Sequence, residues 1–449
     1  MLRVRAAPTS EPETVVESQD STSRKEISYM QTATLAVAEN MRLVKDELRQ
    51  TRNRKRIKAL ALVAPLAIFL LLIFVVPIAM LLTRAVENPE VVGALPTTSR
   101  TLHGWDRKQL PGDAAYVALM SDLTALQDGD SLGGLARRLN TELPGFHTLV
   151  MKTARALPFT DDDGKTVPLT QARERLVNFD ARWGELPYWQ AIAKNSSRYS
   201  AFYVLAALDH RQNAFGEVVP ADPDASIYLN IFARTFGISA VVTCFALLIG
   251  FPLAYWISTL PGRRANLMMI LVLIPFWTSI LVRVAAWIVL LQGQGLVNKA
   301  LMASGMTRAP LELLFNRVGV YISMTHILLP FMILPLYSVM KSIPPTYQRA
   351  AVSLGSHPFA AFWRVYLPQT YPGVGAGALL VFILSIGYYI TPALLGGPDD
   401  QMISYYVAYF TNVSINWGMA CALGGLLLAA TLVLYVVYGR LTRAELGMG

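Results

Sequence analysis

Residues 341–372 read KSIPPTYQRAAVSLGSHPFAAFWRVYLPQTYP, a polar stretch between two apolar segments that are each long enough to cross a membrane. The prolines at 344–345 can open a helix but cannot lie inside one. Gly355 predicts the end of that helix. Pro358 fits the first turn of a second helix, which Pro368 is expected to stop. The stretch therefore predicts two short helices around a glycine break, exposed at one face of a membrane.

The spacing within this stretch resembles the coupling loop of permeases of binding-protein-dependent ABC importers, which follows the pattern E-A-A-x3-G-x6-F-x2-I-x-L-P. The positions of that pattern are filled here by Arg349, Ala350, Ala351, Gly355, Phe362, Val365, Leu367 and Pro368. Arg349 stands where the pattern has glutamate, which is a departure, and Val365 conservatively replaces isoleucine. The resemblance implies that this loop docks a separate ATP-binding subunit and couples its movements to the membrane helices.

The composition is that of a membrane protein. The chain has 449 residues, of which 53% are apolar and 15% charged, and this is too apolar for an ordinary soluble protein. The formal net charge is +9. The basic residues cluster before the first apolar segment and in short loops, so they indicate membrane topology, and no nucleic-acid partner is expected. Cys244 and Cys421 both lie in apolar segments, so no disulfide framework is expected.

Six segments reach the roughly 20 residues needed to cross the hydrocarbon core. They are residues 59–82, 231–259, 267–292, 318–340, 373–395 and 418–441. Basic residues just before the first segment place the N-terminus in the cytoplasm, and the same counting puts the loop 341–372 and the C-terminus there. The predicted organisation is a cytoplasmic arm (1–57), a first transmembrane helix (58–82), a periplasmic inserted domain (83–226), a permease core of five transmembrane helices (227–441) and a cytoplasmic tail (442–449).

Two of these regions lie outside the core. Residues 26–58 follow helical spacing and end in a basic run, so this part of the arm is either a helix on anionic membrane lipids or a solvated helical tail. The region 83–226 is polar, and helical periodicity over 114–126, 133–143 and 169–179 predicts a small, mainly helical domain. The candidates for its core are Trp105, Trp183, Trp189 and Phe202.

Three phrases inside the spans carry a further resemblance. Residues 275–287 read PFWTSILVRVAAW, residues 326–337 read HILLPFMILPLY, and residues 385–397 read SIGYYITPALLGG. They resemble phrases in permeases of the spermidine/putrescine importer group, and together with the loop they cover about half of the chain. The resemblance implies an all-α integral membrane protein with the type I (MetI-like) ABC importer permease fold, plus an extra first helix.

The resemblance also implies partners. These are a second homologous permease, two ATP-binding subunits and a periplasmic solute-binding protein, all at a bacterial inner membrane. ATP and magnesium are expected in the partner subunits, because residues 164–166 (Gly-Lys-Thr) lack the first glycine of a phosphate-binding loop, whose place Phe159 takes. The chain is therefore expected to be a non-catalytic permease with no cofactor, catalytic site or metal site of its own.

Several residues in the spans are candidates for the translocation pathway. Arg283 lies deep in the third predicted span, where a charge costs about 2.5–3.5 kcal/mol and needs a partner or a wet cavity. It either has a structural role or contacts solute. Trp287, Tyr388, Tyr389 and Thr391 are further pathway candidates, and the alternative for each is ordinary helix packing or an aromatic belt. His326 is predicted to be a hydrogen-bond partner between helices rather than a metal ligand.

The spans contain no aspartate or glutamate, which bears on the solute. A polyamine such as spermidine or putrescine is the first expectation from the resemblance, but such a cation favours carboxylates. Arg234 and Arg283 would suit a carboxylate-bearing amine, an opine or an amino-acid-like solute, which is the alternative. Two remoter classes are a secondary transporter, which should show an inverted repeat, and a membrane sensor, which should have a longer cytoplasmic domain than 442–449.

Overall fold

The computed structural model describes residues 58–59, 61–126, 130–159, 169–213 and 215–446. The predictions for residues 1–57 and for residues 164–166 lie outside the described residues. The first described helix, α1 (Ala61–Thr83), is strongly apolar and long enough to cross a membrane. A π-helical turn, Leu71–Val75, interrupts its α-helical hydrogen bonding.

Short helices follow α1 in the polar region. They are α2 (Pro89–Ala94), α3 (Pro96–Thr101), α4 (Asp113–Ala125), α5 (Asp130–Asn140), α6 (Phe146–Ala156), α7 (Ala172–Phe179), α8 (Leu186–Lys194) and α9 (Phe202–Ala207). A small antiparallel hairpin pairs β1 (His210–Gln212) with β2 (Val218–Pro220), with Arg211 opposite Val219. The helices predicted from periodicity correspond to α4, α5 and α7.

The helices α2–α8 enclose a hydrophobic core of their own. Trp183 and Trp189 are fully buried in it, as expected, and Trp105 packs at its edge. The Trp183 indole donates to Thr153 Oγ1 at 3.0 Å, and the Trp189 indole donates to the Trp183 carbonyl at 2.9 Å. Phe202 was expected in this core but packs in a different cluster, against residues that lead into the membrane helices.

One contact closes this region on itself, and another joins it to the first core helix. The region closes on itself where the Asn88 amide donates to the Arg198 carbonyl at 2.9 Å. Beyond that point, both carboxylate oxygens of the buried Asp209 accept the amides of Tyr228 and Leu229, at 2.9 and 2.8 Å. These two amides belong to the first turn of the next helix, so Asp209 satisfies donors that a helix start leaves free and fixes the direction in which the chain leaves the region.

The core helices carry long apolar stretches broken by short elements. They are α10 (Tyr228–Thr259), α11 (Gly262–Leu273), α12 (Ile280–Leu291), α13 (Leu296–Ala303), α14 (Arg317–Ser342), α15 (Pro345–Ser353), α16 (Pro358–Ala361), α17 (Leu367–Ile386), α18 (Ile390–Leu395), α19 (Ile403–Asn412) and α20 (Trp417–Leu446). The helices α10, α14 and α17 pack tightly together, and a Cβ on Gly377 would come within 2.8 Å of Met332 Sδ. Small residues at such crossings allow close backbone approach in membranes.

Six helices in the described residues are long and apolar enough to span a membrane, which confirms the predicted number. Two predicted spans are wrong in their bounds. The span 267–292 is broken by a 3-10 turn (Ile274–Trp277), which contains Pro275, and by extended backbone at Thr278. The span 373–395 ends at Ile386, since residues 387–389 leave the helix before α18 begins.

Pro368 does not stop the second helix of the loop 341–372, which corrects the prediction. The chain is helical from Pro358 through a π turn, Phe362–Tyr366, and on to Ile386. A proline in an α-helix clashes with the carbonyl four residues before it. Here that carbonyl belongs to Arg364 in the π turn, whose wider i→i+5 bonding relieves the clash. The loop is therefore shorter than predicted, and most of it is helical.

Candidate coupling segment and core cavity

The residues that match the coupling pattern lie in a compact element, Pro345–Pro368, which we call the coupling segment. Its first helix, α15, opens on Pro345 as predicted. At its end the Gly355 amide donates to the Val352 carbonyl at 3.0 Å, and the Ser356 amide donates to the Ala351 carbonyl at 3.1 Å. This pair of bonds is the Schellman motif, which requires left-handed backbone at its glycine. Gly355 has a φ of +91°.

The second half of the segment is anchored to the membrane helices by aromatic rings. Phe362 stacks on Tyr366, with ring centroids 5.5 Å apart. Both rings meet Tyr255 of α10 edge-on, at 5.4 and 5.3 Å. The Phe362 side chain is therefore turned inward, and its role in this chain is to hold the segment against α10.

The opposite face of the segment is exposed. Arg349, Ala350, Gly355 and Pro368 are exposed, whereas Ala351 and Leu367 are half-buried. Sequence reasoning missed a group of large exposed apolar side chains in this segment: Tyr347, Val352, Leu354, Phe359 and Trp363. Leu354 is 89% exposed. Apolar side chains gathered at a polar surface are typical of a protein interface, and their presence in an otherwise polar stretch was the signal that could have identified them.

A cavity of about 640 Å³ lies among the core helices and is open to the surface of the chain, since Phe245, Ile249 and Val318 in its lining are 43–50% exposed. It is lined from α10, α12 and α14 by Phe245, Ile249, Trp287, Val318, Tyr321, Ile322, Thr325, His326 and Leu329. Of the predicted pathway residues, Trp287 belongs to this lining. The α14 residues were missed, although their spacing at every third or fourth position places them on one helix face.

The Trp287 indole donates to His326 Nδ1 at 3.3 Å, which links α12 to α14 and confirms His326 as a hydrogen-bond partner between helices. Arg283 lies one turn before Trp287 and close enough to His326 and Tyr388 to interact with both electrostatically. Arg283 Nε is buried and has no hydrogen-bond partner among the described residues.

The remaining pathway candidates lie around the break after α17. Tyr388 is half-buried beside the cluster that also holds Trp287, and its carbonyl accepts the Ser404 hydroxyl at 2.9 Å. Tyr389 is exposed, and Thr391 is fully buried. The structure thus brings Arg283, Trp287 and Tyr388 together, and Tyr389 is not among the residues of their cluster. Arg234 lies elsewhere, where its guanidinium donates to the Gln401 carbonyl at 3.3 Å.

Residues 233–445 match the family described as the inner membrane component of binding-protein-dependent transport systems. The spermidine/putrescine transport system permease protein PotB of Haemophilus influenzae is 34% identical over 213 residues, which are 47% of this chain and 74% of that protein. PotB of Escherichia coli is 29% identical over 218 residues, which are 48% of this chain and 79% of that protein. The family match begins within α10, so the polar region before it lies outside the match.

Among solved structures, a chain of a bacterial alginate ABC transporter, in complex with an alginate-bound periplasmic protein, is similar over 49% of this chain and 79% of its own length. The sequence identity is 18% and the TM-score is 0.41.

Proposed function

This chain belongs to the family of inner membrane components of binding-protein-dependent transport systems, and on that premise we propose that it is the permease subunit of an ATP-driven importer of a small polar amine. The observation that carries this proposal is the coupling segment, in which a fixed helix break and an exposed apolar face fit a docking element for a separate motor subunit. No part of the proposal requires this chain to bind ATP.

The first candidate for the solute is a polyamine such as spermidine or putrescine. It is supported by the two polyamine permeases that are 34% and 29% identical to this chain. The second candidate is a carboxylate-bearing amine, an opine or an amino-acid-like solute. It is favoured by the charges of the core spans, where α10 and α12 carry Arg234 and Arg283 and the spanning helices from Tyr228 to Arg440 carry no carboxylate.

The coupling segment would receive the ATP-binding subunits, which hold ATP and magnesium. When they close on ATP, they press on the exposed face of α15 and α16. The Tyr255–Phe362–Tyr366 ring contacts pass this movement to α10, and the uninterrupted helix passes it to α17. Helices that rock between two arrangements give alternating access to a site near the middle of the membrane.

The other partners would meet the chain on the opposite side of the membrane. A periplasmic solute-binding protein would deliver solute, and a second homologous permease would complete the pathway. The polar region between α1 and α10 would form part of the binding protein's landing surface. This arrangement places both termini in the cytoplasm, in accord with the basic residues before the first span.

The test is solute uptake by the reconstituted complex. The chain is purified with its candidate partner subunits and placed in liposomes that contain ATP, and the binding protein is added outside. Uptake of labelled putrescine or spermidine that requires both ATP and the binding protein is expected. Uptake that proceeds without ATP would instead indicate a secondary transporter. Uptake of 4-aminobutanoate but not of putrescine would favour the carboxylate-bearing class.

A further inference from the structure

The core cavity has aromatic walls on three helices. Phe245 of α10 and Tyr321 of α14 meet edge-on, with ring centroids 6.3 Å apart. Trp287 of α12 and His326 of α14 do the same at 5.3 Å. The other lining residues are aliphatic except for Thr325, and none of the described lining residues carries a carboxylate. A cavity lined in this way suits apolar groups and groups that can lie against an aromatic ring.

One hydroxyl in this wall lacks a partner. Thr325 is 5% exposed, and its Oγ1 has no hydrogen-bond partner among the described residues. Its neighbour Ser323, on the same helix, donates to the Gly319 carbonyl at 2.7 Å in the usual way. This hydroxyl is itself buried, so it is not open to a molecule that enters the cavity, and the surface of the cavity stays almost entirely apolar.

The Trp287–His326 hydrogen bond determines the state of the imidazole. An indole N–H can only donate, so His326 Nδ1 must carry a lone pair. The ring is therefore neutral, with its proton on Nε2. In this state His326 adds no positive charge to the cavity and fixes the orientation of the indole of Trp287.

We propose that Trp287 is a specificity-determining residue that receives an alkylammonium group on its indole face, with His326 as the positioning residue that holds the indole. Cations are attracted to aromatic faces, most strongly to tryptophan. The methylenes of the solute would lie along Ile249 and Leu329. This inference rests on the proposed function, because it takes the cavity to be part of the solute pathway.

The arrangement resolves the absence of carboxylates in the spans. Aromatic faces attract an ammonium group more weakly than a carboxylate does, and Arg283 nearby lowers the affinity further. A transport site must bind its solute weakly enough to release it. A cavity with aromatic walls and no carboxylates therefore binds a polycation weakly enough for it to pass through.

The test replaces Trp287 by its fluorinated analogues, which weaken the negative face of the indole while keeping its shape and N–H. Putrescine uptake is measured at saturating binding protein in the fully assembled complex, together with basal ATP hydrolysis. Uptake should fall stepwise with each added fluorine. Replacement of the ring by Trp287→Leu should reduce uptake by about 2- to 30-fold. Trp277→Leu is the matched control, because Trp277 is 79% exposed and does not line the cavity.

The positioning role of His326 has its own readout. His326→Gln can still accept the indole N–H through its amide oxygen, whereas His326→Leu cannot. His326→Gln should therefore keep most of the uptake that His326→Leu loses. If His326 only filled space between the helices, the two variants should lower uptake to the same extent.

The outcomes separate this inference from the proposed function. Putrescine uptake that is insensitive to fluorination would overturn the role of Trp287 and leave the importer standing. A wild-type complex that hydrolyses ATP but takes up 4-aminobutanoate and not putrescine would overturn the polyamine assignment and this inference with it.

Discussion

Replacing Gly355 with valine should uncouple ATP hydrolysis from the membrane helices. Gly355 has a φ of +91°, and no heavy atom lies within 4 Å of the place a Cβ would occupy. The substitution therefore adds no clash, and its cost is conformational. Left-handed backbone costs an L-residue roughly 1–2 kcal/mol, and β-branching makes it less tolerable still. A cost of that size changes the ratio of two conformations about 5- to 30-fold.

The Schellman motif at the end of α15 would open as a result, and α15 would lose its fixed angle to α16. The assay is binding-protein-stimulated ATP hydrolysis by the complex in nanodiscs. We expect stimulation to fall roughly five-fold or more, while the amount of assembled complex stays near that of the wild type, because the residue is exposed and its surroundings are open.

Gly305→Val is the matched control. Gly305 has a φ of +73° with open space around it, and it ends α13 with the same pair of hydrogen bonds, from Gly305 to Met302 and from Met306 to Leu301. It lies outside the coupling segment. Normal stimulation of the Gly355→Val complex, or an equal loss in the Gly305→Val complex, would refute the reasoning.

Four further predictions concern charge and the polar region. Arg349→Glu should weaken assembly with the ATP-binding subunits in a salt-sensitive manner, and unchanged affinity at low salt would contradict it. Arg283→Ala should reduce uptake, because removing the charge that weakens ammonium binding slows release of the solute. Assembly and basal hydrolysis should stay near wild type, since Arg283 Nε has no partner among the described residues to lose, and a loss of folded complex would indicate a structural role instead. Excision of residues 89–197, whose flanking residues Asn88 and Arg198 are hydrogen-bonded to each other, should leave assembly intact and lower the affinity for the binding protein, and unchanged affinity would show that the region is not a docking surface. The Arg182 hydrogen bond lowers the pKa of the Asp180 carboxyl. The stabilisation that the ionised Asp180 gives to the region should therefore be present above about pH 4 and be lost as the pH falls through the lowered pKa. Asp180→Asn should flatten the acid dependence of limited proteolysis.

The sequence predicts those features of the fold that depend on local backbone chemistry. The helix break at Gly355 is an example, because a glycine after a helical run favours left-handed backbone whatever surrounds it. The number of spans is another, because length and apolarity alone set it. The burial of Trp183 and Trp189 was also predicted correctly, because large aromatic side chains in a small polar region are expected to pack in its core.

Prolines in the spans show where such reasoning stops. Pro252, Pro330 and Pro335 lie inside continuous helices, whereas Pro275 lies at a break. Proline interrupts one helix and not the others because the backbone carbonyl that it leaves without a hydrogen bond can be satisfied by neighbouring helices or water. Whether it is satisfied depends on tertiary contacts. The cavity was missed for a similar reason, since three helices distant in sequence contribute its lining.

The continuity of the chain through Pro368 matters for the proposed coupling. The helix from Pro358 to Ile386 has 29 residues and, at 1.5 Å per residue, is about 43 Å long. One end belongs to the coupling segment, and the other meets the break at which Tyr388 packs in the same cluster as Trp287. Had Pro368 stopped the helix, a flexible joint would separate the docking face from the membrane helices. In the proposed mechanism, a continuous helix would instead carry a push by an ATP-binding subunit to the cluster that also holds Trp287, one of the residues that line the cavity.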